Sequence, residues 1–327
     1  MVAEAFPQNI RVTGRTQLGP HYEATLRAMG IDASALPTGL FYTFCGDLLG
    51  ASGEHYQKGG TIGFDEACKK SSLNFSDDFM ESLAMHQMRN MPITADVSQL
   101  MNARDHFHDL IADHFQKMAL TYSPWFGALF NAKMMGEYLD ILVSHSSCGA
   151  AMRAAVMASD GLNNEQALPL FLLSHAHTES IEGGYMVMGV ARGLIAGDDF
   201  NSALEQGKTA ALWGRRAVQN FQRNNGLTIQ EFAPLAQAID KVLKTGDAYS
   251  VIDDIAEDGI ETRFVVPAAL LLVRDAMESA NGVAHVVTES LRIGGDPDTI
   301  CSIAMGLYGL ARPDEAKRVL STLEIGA

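Results

Sequence analysis

Residues 294–305 read GGDPDTICSIAM, placing two carboxylates one residue apart, around a proline, ahead of an apolar run. Ile300, Ile303, Ala304 and Leu307 recur at helical spacing, so a helix is expected to start near Pro297, a residue suited to a first helical position. Asp296 would then stand at the N-cap and Asp298 in the first turn, where the helix dipole favours negative charge. Capping alone accounts for that arrangement. A second cluster, Ser76, Asp77 and Asp78 in FSDDFMESLAM, repeats it ahead of another amphipathic stretch. A cap does not need two adjacent carboxylates, which repel unless solvent or a cation screens them. Together the clusters form an oxygen-only donor set of the kind that holds Mg²⁺, Mn²⁺ or Ca²⁺ rather than structural zinc. On spacing alone, capping and metal binding both stay open.

These side chains must be carried by helices. Apolar and small residues recur at three- and four-residue spacing in FYTFCGDLLGAS, FMESLAMHQM, AAMRAAVMA, LPLFLLSHAH and IEGGYMVMGVARGLIAG. Alternating β-branched runs bounded by turns are nearly absent, and no repeat or low-complexity linker divides the chain. The expected fold is all-α, a single compact multi-helical domain over residues 40–327, with residues 1–39 as an extension of unknown role. Several helices are apolar on more than one side, which fits a layered helical globule better than a small bundle.

The 327 residues are 47% hydrophobic, enough for a sizeable core. A formal charge of -15 argues against general binding to nucleic acid or to an anionic membrane surface. Four separated cysteines, Cys45, Cys68, Cys148 and Cys301, suggest neither a disulfide framework nor a thiolate zinc site. The N-terminus lacks the pattern of a signal peptide, and the longest strongly apolar run, FVVPAALLLV, is half a membrane span; a cytoplasmic protein is expected, with that run as a buried helix.

The ordered blocks resemble those of the ADP-ribosylglycohydrolases, a family that includes dinitrogenase reductase-activating glycohydrolase and the ADP-ribosylarginine hydrolases. The resemblance is carried by FCGDLLGASGE, FSDDFMESLAM, CGAAMRAA with LLSHAHTESIEGG, and the closing segment through GGDPDTICSIAMGLYGL, and spans roughly residues 40 to 312. It implies an all-α fold and hydrolysis of the glycosidic bond joining ADP-ribose to a protein side chain, arginine by default, at a centre of two Mg²⁺ ions, with Mn²⁺ as an alternative. The implied metal ligands are Ser76, Asp77, Asp78, Asp296, Asp298 and Thr299. Glu54 or Asp78 is the expected proton-handling carboxylate. Ser147, Cys148, Gly149, Met152, Arg153 and His175 are expected to line the ligand cleft, with backbone amides of residues 144–149 holding the pyrophosphate.

The chain departs from the family pattern at SHSSCGAAMR, where Ser147 and Cys148 stand in place of the usual Gly-Asn, which leaves the acceptor open. Serine- or threonine-linked conjugates, small ADP-ribose derivatives, and a non-catalytic ADP-ribose-binding or structural relative are the alternatives. Cys148 as a nucleophile with His175 as its base is disfavoured, since the family uses no cysteine. His106, His108 and His114 lack the spacing of a zinc motif and read as a solvated helix face. The expected partner is an ADP-ribosylated protein, with ADP-ribose as product and neither nucleic acid nor membrane involved.

Overall fold

Thr178–Ile195 carries apolar or small residues on every side, with Glu179, Glu182 and Arg192 as its charged positions, and such a helix belongs in the interior. In the computed structural model, which describes residues 16–51, 67–68, 76–118, 124–229, 231–250 and 259–325, this helix lies at the centre and is buried from Thr178 through Ala191. Helices are named here in chain order: α1 Leu18–Ala28, α2 Thr38–Gly50, α3 Asp77–Met88, α4 Val97–Met118, α5 Pro124–Asn131, α6 Met135–Ser144, α7 Gly149–Met152, α8 Ala154–Ser159, α9 Asn164–Phe171, α10 Thr178–Ile195, α11 Phe200–Asn224, α12 Leu235–Thr245, α13 Thr262–Glu278, α14 Gly282–Ile293, α15 Pro297–Ala311 and α16 Pro313–Thr322.

The long α11 shows the opposite pattern to α10. Its buried positions, Phe200, Ala203, Leu204, Gly207, Ala211, Gly214, Val218 and Phe221, recur at three- and four-residue spacing and lie along α10. On the other side α2 packs along α15, and α13, which carries FVVPAALLLV, packs against α15 and α14 as a buried helix. No helix among the described residues is long and apolar enough to cross a membrane.

Among the described residues, extended pairing is limited to one short pair of strands and a single bridge between Ser147 and Glu261. Strand β1, Thr16–Gln17, pairs antiparallel with β2, Glu324–Ile325, and the Leu18 N–H donates to the Leu323 carbonyl at 2.8 Å. α1 rests on α16, with Leu18 and Leu26 fully buried, so the stretch from Thr16 is docked against the C-terminal helix. The first fifteen residues of the expected extension lie outside the described residues.

Candidate active site

Glycines set the spacing of the site. Gly46 and Gly50 lie one turn apart on α2, where a Cβ at Gly46 would come 2.5 Å from the Cys301 carbonyl oxygen and one at Gly50 2.6 Å from the Asp298 Cα. The α2 backbone therefore runs against the first turns of α15. Between them Asp47, fully buried, accepts the N–H of Ser76 at 2.8 Å and of Phe79 at 3.1 Å, which ties the start of α3 to α2. Ser76 Oγ accepts the Asp78 N–H at 3.2 Å and caps α3. With Asp47 and Ser76 in these roles, the carboxylates of Asp77 and Asp78 are not needed to cap the helix.

The same holds on α15. Gly294 and Gly295, at φ of 70° and 75°, turn the chain through the left-handed region that a side chain resists, and bring Asp296 to the N-cap. Its side chain caps nothing; Oδ2 accepts the thiol of Cys148 at 3.3 Å. Thr299 donates its hydroxyl to Asp78 Oδ1 at 3.1 Å, joining the two acidic segments. Asp78 Oδ2 and Asp298 Oδ1 are buried without a hydrogen-bond partner. Capping thus fixes where the helices begin and leaves one oxygen each of Asp78 and Asp298 without a partner.

Burial, and then the negative charge of Asp298, raise the pKa of Asp47, Asp77, Asp78 and Asp296; Asp78 is raised further by Asp47, Asp77 and Asp296. Such a cluster needs protons or a cation to offset its repulsion. Its two orphaned oxygens and its hydroxyls suit a hard divalent cation in donor chemistry. No three His, Cys, Asp or Glu side chains among the described residues are pre-assembled into a metal cage, so the fit rests on donor chemistry and on the unpaired oxygens.

Beside the cluster, the 146–149 loop is pinned from two sides. Thr262 N–H donates to the Ser146 carbonyl at 2.9 Å, and the hydroxyls of Thr262 and Ser180 donate to the Ser147 carbonyl at 2.9 and 2.8 Å. His175, only 2% exposed, lies under Gly149, where a Cβ would meet its Cε1 at 2.4 Å. Its Nε2 is hydrogen-bonded to Ser147 Oγ at 2.9 Å and its Nδ1 to Ser174 Oγ at 2.8 Å. Burial first, then the charge of Arg153, hold its pKa well below the usual imidazole range, so the ring is neutral.

Arg153 is fully buried, paired with Glu81 and donating to Ser174 Oγ at 2.6 Å. Burial pushes the Glu81 carboxyl up to about 8 against the pull of Arg153, and the charge of Asp77, one turn before it on α3, adds to the rise. A buried polar chain therefore runs from the acidic cluster through Glu81, Arg153, Ser174 and His175 to Ser147.

Residues 39–315 match the ADP-ribosylglycohydrolase family. The chain belongs to that family. No curated protein matches. Among 39 matching solved chains, one described as an ADP-ribosylglycohydrolase-related protein complex aligns with a TM-score of 0.52 at 16% identity, covering 91% of this chain and 93% of that one. At that identity the likeness speaks for the fold alone. Membership makes the protein a glycosyl hydrolase of a generally divalent-metal-dependent family, whose substrates are ADP-ribosyl compounds.

Within the ADP-ribosylglycohydrolase framework, the structure brings together Ser76, Asp77, Asp78, Asp296, Asp298 and Thr299 where α2, α3 and α15 meet. Ser147, Cys148 and Gly149 form the adjacent loop, with Met152 buried in α7 behind it. Arg153 and His175 support this loop from beneath, engaged by protein partners. The Cys148 N–H, expected to serve a pyrophosphate, instead donates to the Ile260 carbonyl at 3.2 Å. Glu54 lies outside the described residues. Asp47 and Glu81 were not among the expected site residues. Their signal in the sequence is a lone carboxylate inside a helix segment apolar on both flanks, CGDLL and FMESLAM.

Proposed function

We propose that this enzyme removes ADP-ribose from a modified protein side chain, arginine being the default acceptor, and so reverses mono-ADP-ribosylation in the cytoplasm. Residues 40–327 form the catalytic domain in this reading, with residues 1–39 as its extension. The observation that carries the reading is that Asp78 on α3 and Asp298 on α15 each keep a buried oxygen that no cap, hydrogen bond or salt bridge occupies, beside the carboxylate of Asp296 at the α15 N-cap.

Ser76, Asp77, Asp78, Asp296, Asp298 and Thr299 would hold two Mg²⁺ ions, or Mn²⁺ in their place. When bound, such ions polarise ribose hydroxyls and water and offset charge that develops in the transition state. Thr299 orients Asp78 through Oδ1 and leaves Oδ2 unpaired, the atom suited to hold or accept a proton next to the sugar. Glu54 is the other carboxylate for that role. An oxocarbenium-like transition state gains from carboxylates held close to the ribose. The loop from Ser147 to Gly149 borders the cluster and, fixed by His175 and Thr262, would orient the ligand.

The test is release of free ADP-ribose from arginine-ADP-ribosylated and serine-ADP-ribosylated substrates, with Mg²⁺ and with chelator. Release from the arginine conjugate, lost with chelator and in Asp296→Ala, is expected. No release from either substrate, with wild type indistinguishable from Asp296→Ala, overturns the hydrolase reading, and release that survives chelation removes the metal from it.

A further inference from the structure

Cys148 sets a sulfur into a cluster otherwise built of oxygens. Its main chain is fixed: the N–H donates to Ile260, and the carbonyl accepts from the N–H groups of Ala151 at 2.7 Å and Met152 at 3.2 Å. The side chain is thereby directed at the acidic residues. Sγ lies 3.3 Å from Asp296 Oδ2, and the thiol also interacts with the Thr299 hydroxyl and with the charge of Asp78. At 5% exposure it is shielded from bulk solvent. A second and independent observation marks the same place as incomplete: Asp78 and Asp298, at 2% and 4% exposure, each keep a buried oxygen with no partner.

Carboxylates and hydroxyls alone favour Mg²⁺ and Mn²⁺, which gain little from sulfur, whereas a thiolate among them favours ions of the zinc and cadmium class. We infer that Cys148 is a metal-ligating residue that opens the carboxylate cluster to thiophilic divalent cations. The inference rests on the proposed reading of the cluster as a metal site. Binding replaces the S–H bond with a sulfur–metal bond and releases the proton to solvent, with no change in oxidation state. Such an ion competes with Mg²⁺ for Asp296.

The full chain is titrated with Cd²⁺ while the ultraviolet sulfur-to-cadmium charge-transfer band is followed, and separately with Mg²⁺ by calorimetry. A saturable band is expected for wild type and for Cys301→Ser, whose thiol is hydrogen-bonded with Ser290 on α14. Cys148→Ser, which keeps a hydrogen-bond donor beside Asp296, should lose the band and bind Cd²⁺ about tenfold or more weakly while still binding Mg²⁺. Circular dichroism checks the helical fold of each variant, and Cys148→Ala serves if the serine variant does not fold. A band that persists without Cys148, or no band in a wild type that binds Mg²⁺, overturns the sulfur assignment and leaves the proposed function standing. A wild type that binds neither ion overturns both.

Discussion

Thr299 on α15 donates its hydroxyl proton to Asp78 on α3 across 3.1 Å, a bond between residues 221 positions apart in the chain. It is a direct link between the two acidic segments, and it leaves one Asp78 oxygen buried and unpaired. Replacing Thr299 with Val deprives the other oxygen as well and should cost about 1–3 kcal/mol in urea unfolding with chelator present. Thr299→Ser should recover most of the loss. Equal stability of the valine variant and wild type would remove the bond from the account.

Asp298 raises the pKa of four neighbouring carboxylates by its charge, so it works against the metal-free fold. Asp298→Asn should therefore raise the stability of the chelated protein by relieving that repulsion, while abolishing turnover. Added Mg²⁺ should raise the melting temperature of wild type and leave the variant unmoved. A variant less stable than wild type in chelator contradicts the electrostatic reading.

Glu81 and Arg153 are both fully buried, and removing either strands the other in a medium that cannot solvate it. Glu81→Ala, which strands the Arg153 guanidinium, should destabilise by about 3–5 kcal/mol, and Arg153→Ala by less, since the Glu81 carboxyl, already pushed up to about 8, can take up a proton. The double variant should fall well short of the sum, since the second removal strands no charge. Strict additivity in that cycle would show that the pair does not act as a unit.

His175 is held neutral, with its folded pKa below the ordinary imidazole value of about 6.5. The unfolded chain then binds more protons than the folded one below that value, so stability contributed by the neutral ring is present above it and is lost as pH falls. The limiting slope is about 1.4 kcal/mol per pH unit for one proton. The raised carboxylates act in the opposite direction, so the informative quantity is the difference between wild type and His175→Gln. The stability advantage of wild type over His175→Gln should shrink as pH falls below about 6.5; a constant offset would mean that His175 does not titrate between the two states.

Much of the helical framework was legible because α10 and α11 carry their burial in their periodicity, one apolar all round and the other striped. The acidic segments were legible as types and spacing. What the one-dimensional pattern withheld was which atoms are already engaged. Asp296 occupies an N-cap by position yet gives its oxygen to Cys148, a residue 148 positions away. The cap on α3 depends on Asp47, whose two acceptor bonds reach across to another helix. His175 reads as a ligand-holding residue from its motif, whereas both its nitrogens are taken by serines. Long-range pairings of this kind depend on how helices are stacked, which no local spacing encodes.

Gly46 and Gly50 place main chain against main chain where α2 crosses the start of α15. The separation of Asp47 from Asp298 is therefore set by the distance between two helix axes rather than by a choice of rotamer. A cation held beside them would be measured as in a caliper, its radius compared with a gap that side-chain motion can adjust little. Alanine at Gly50 would act as a shim in that caliper, changing which ion fits without altering a single donor atom.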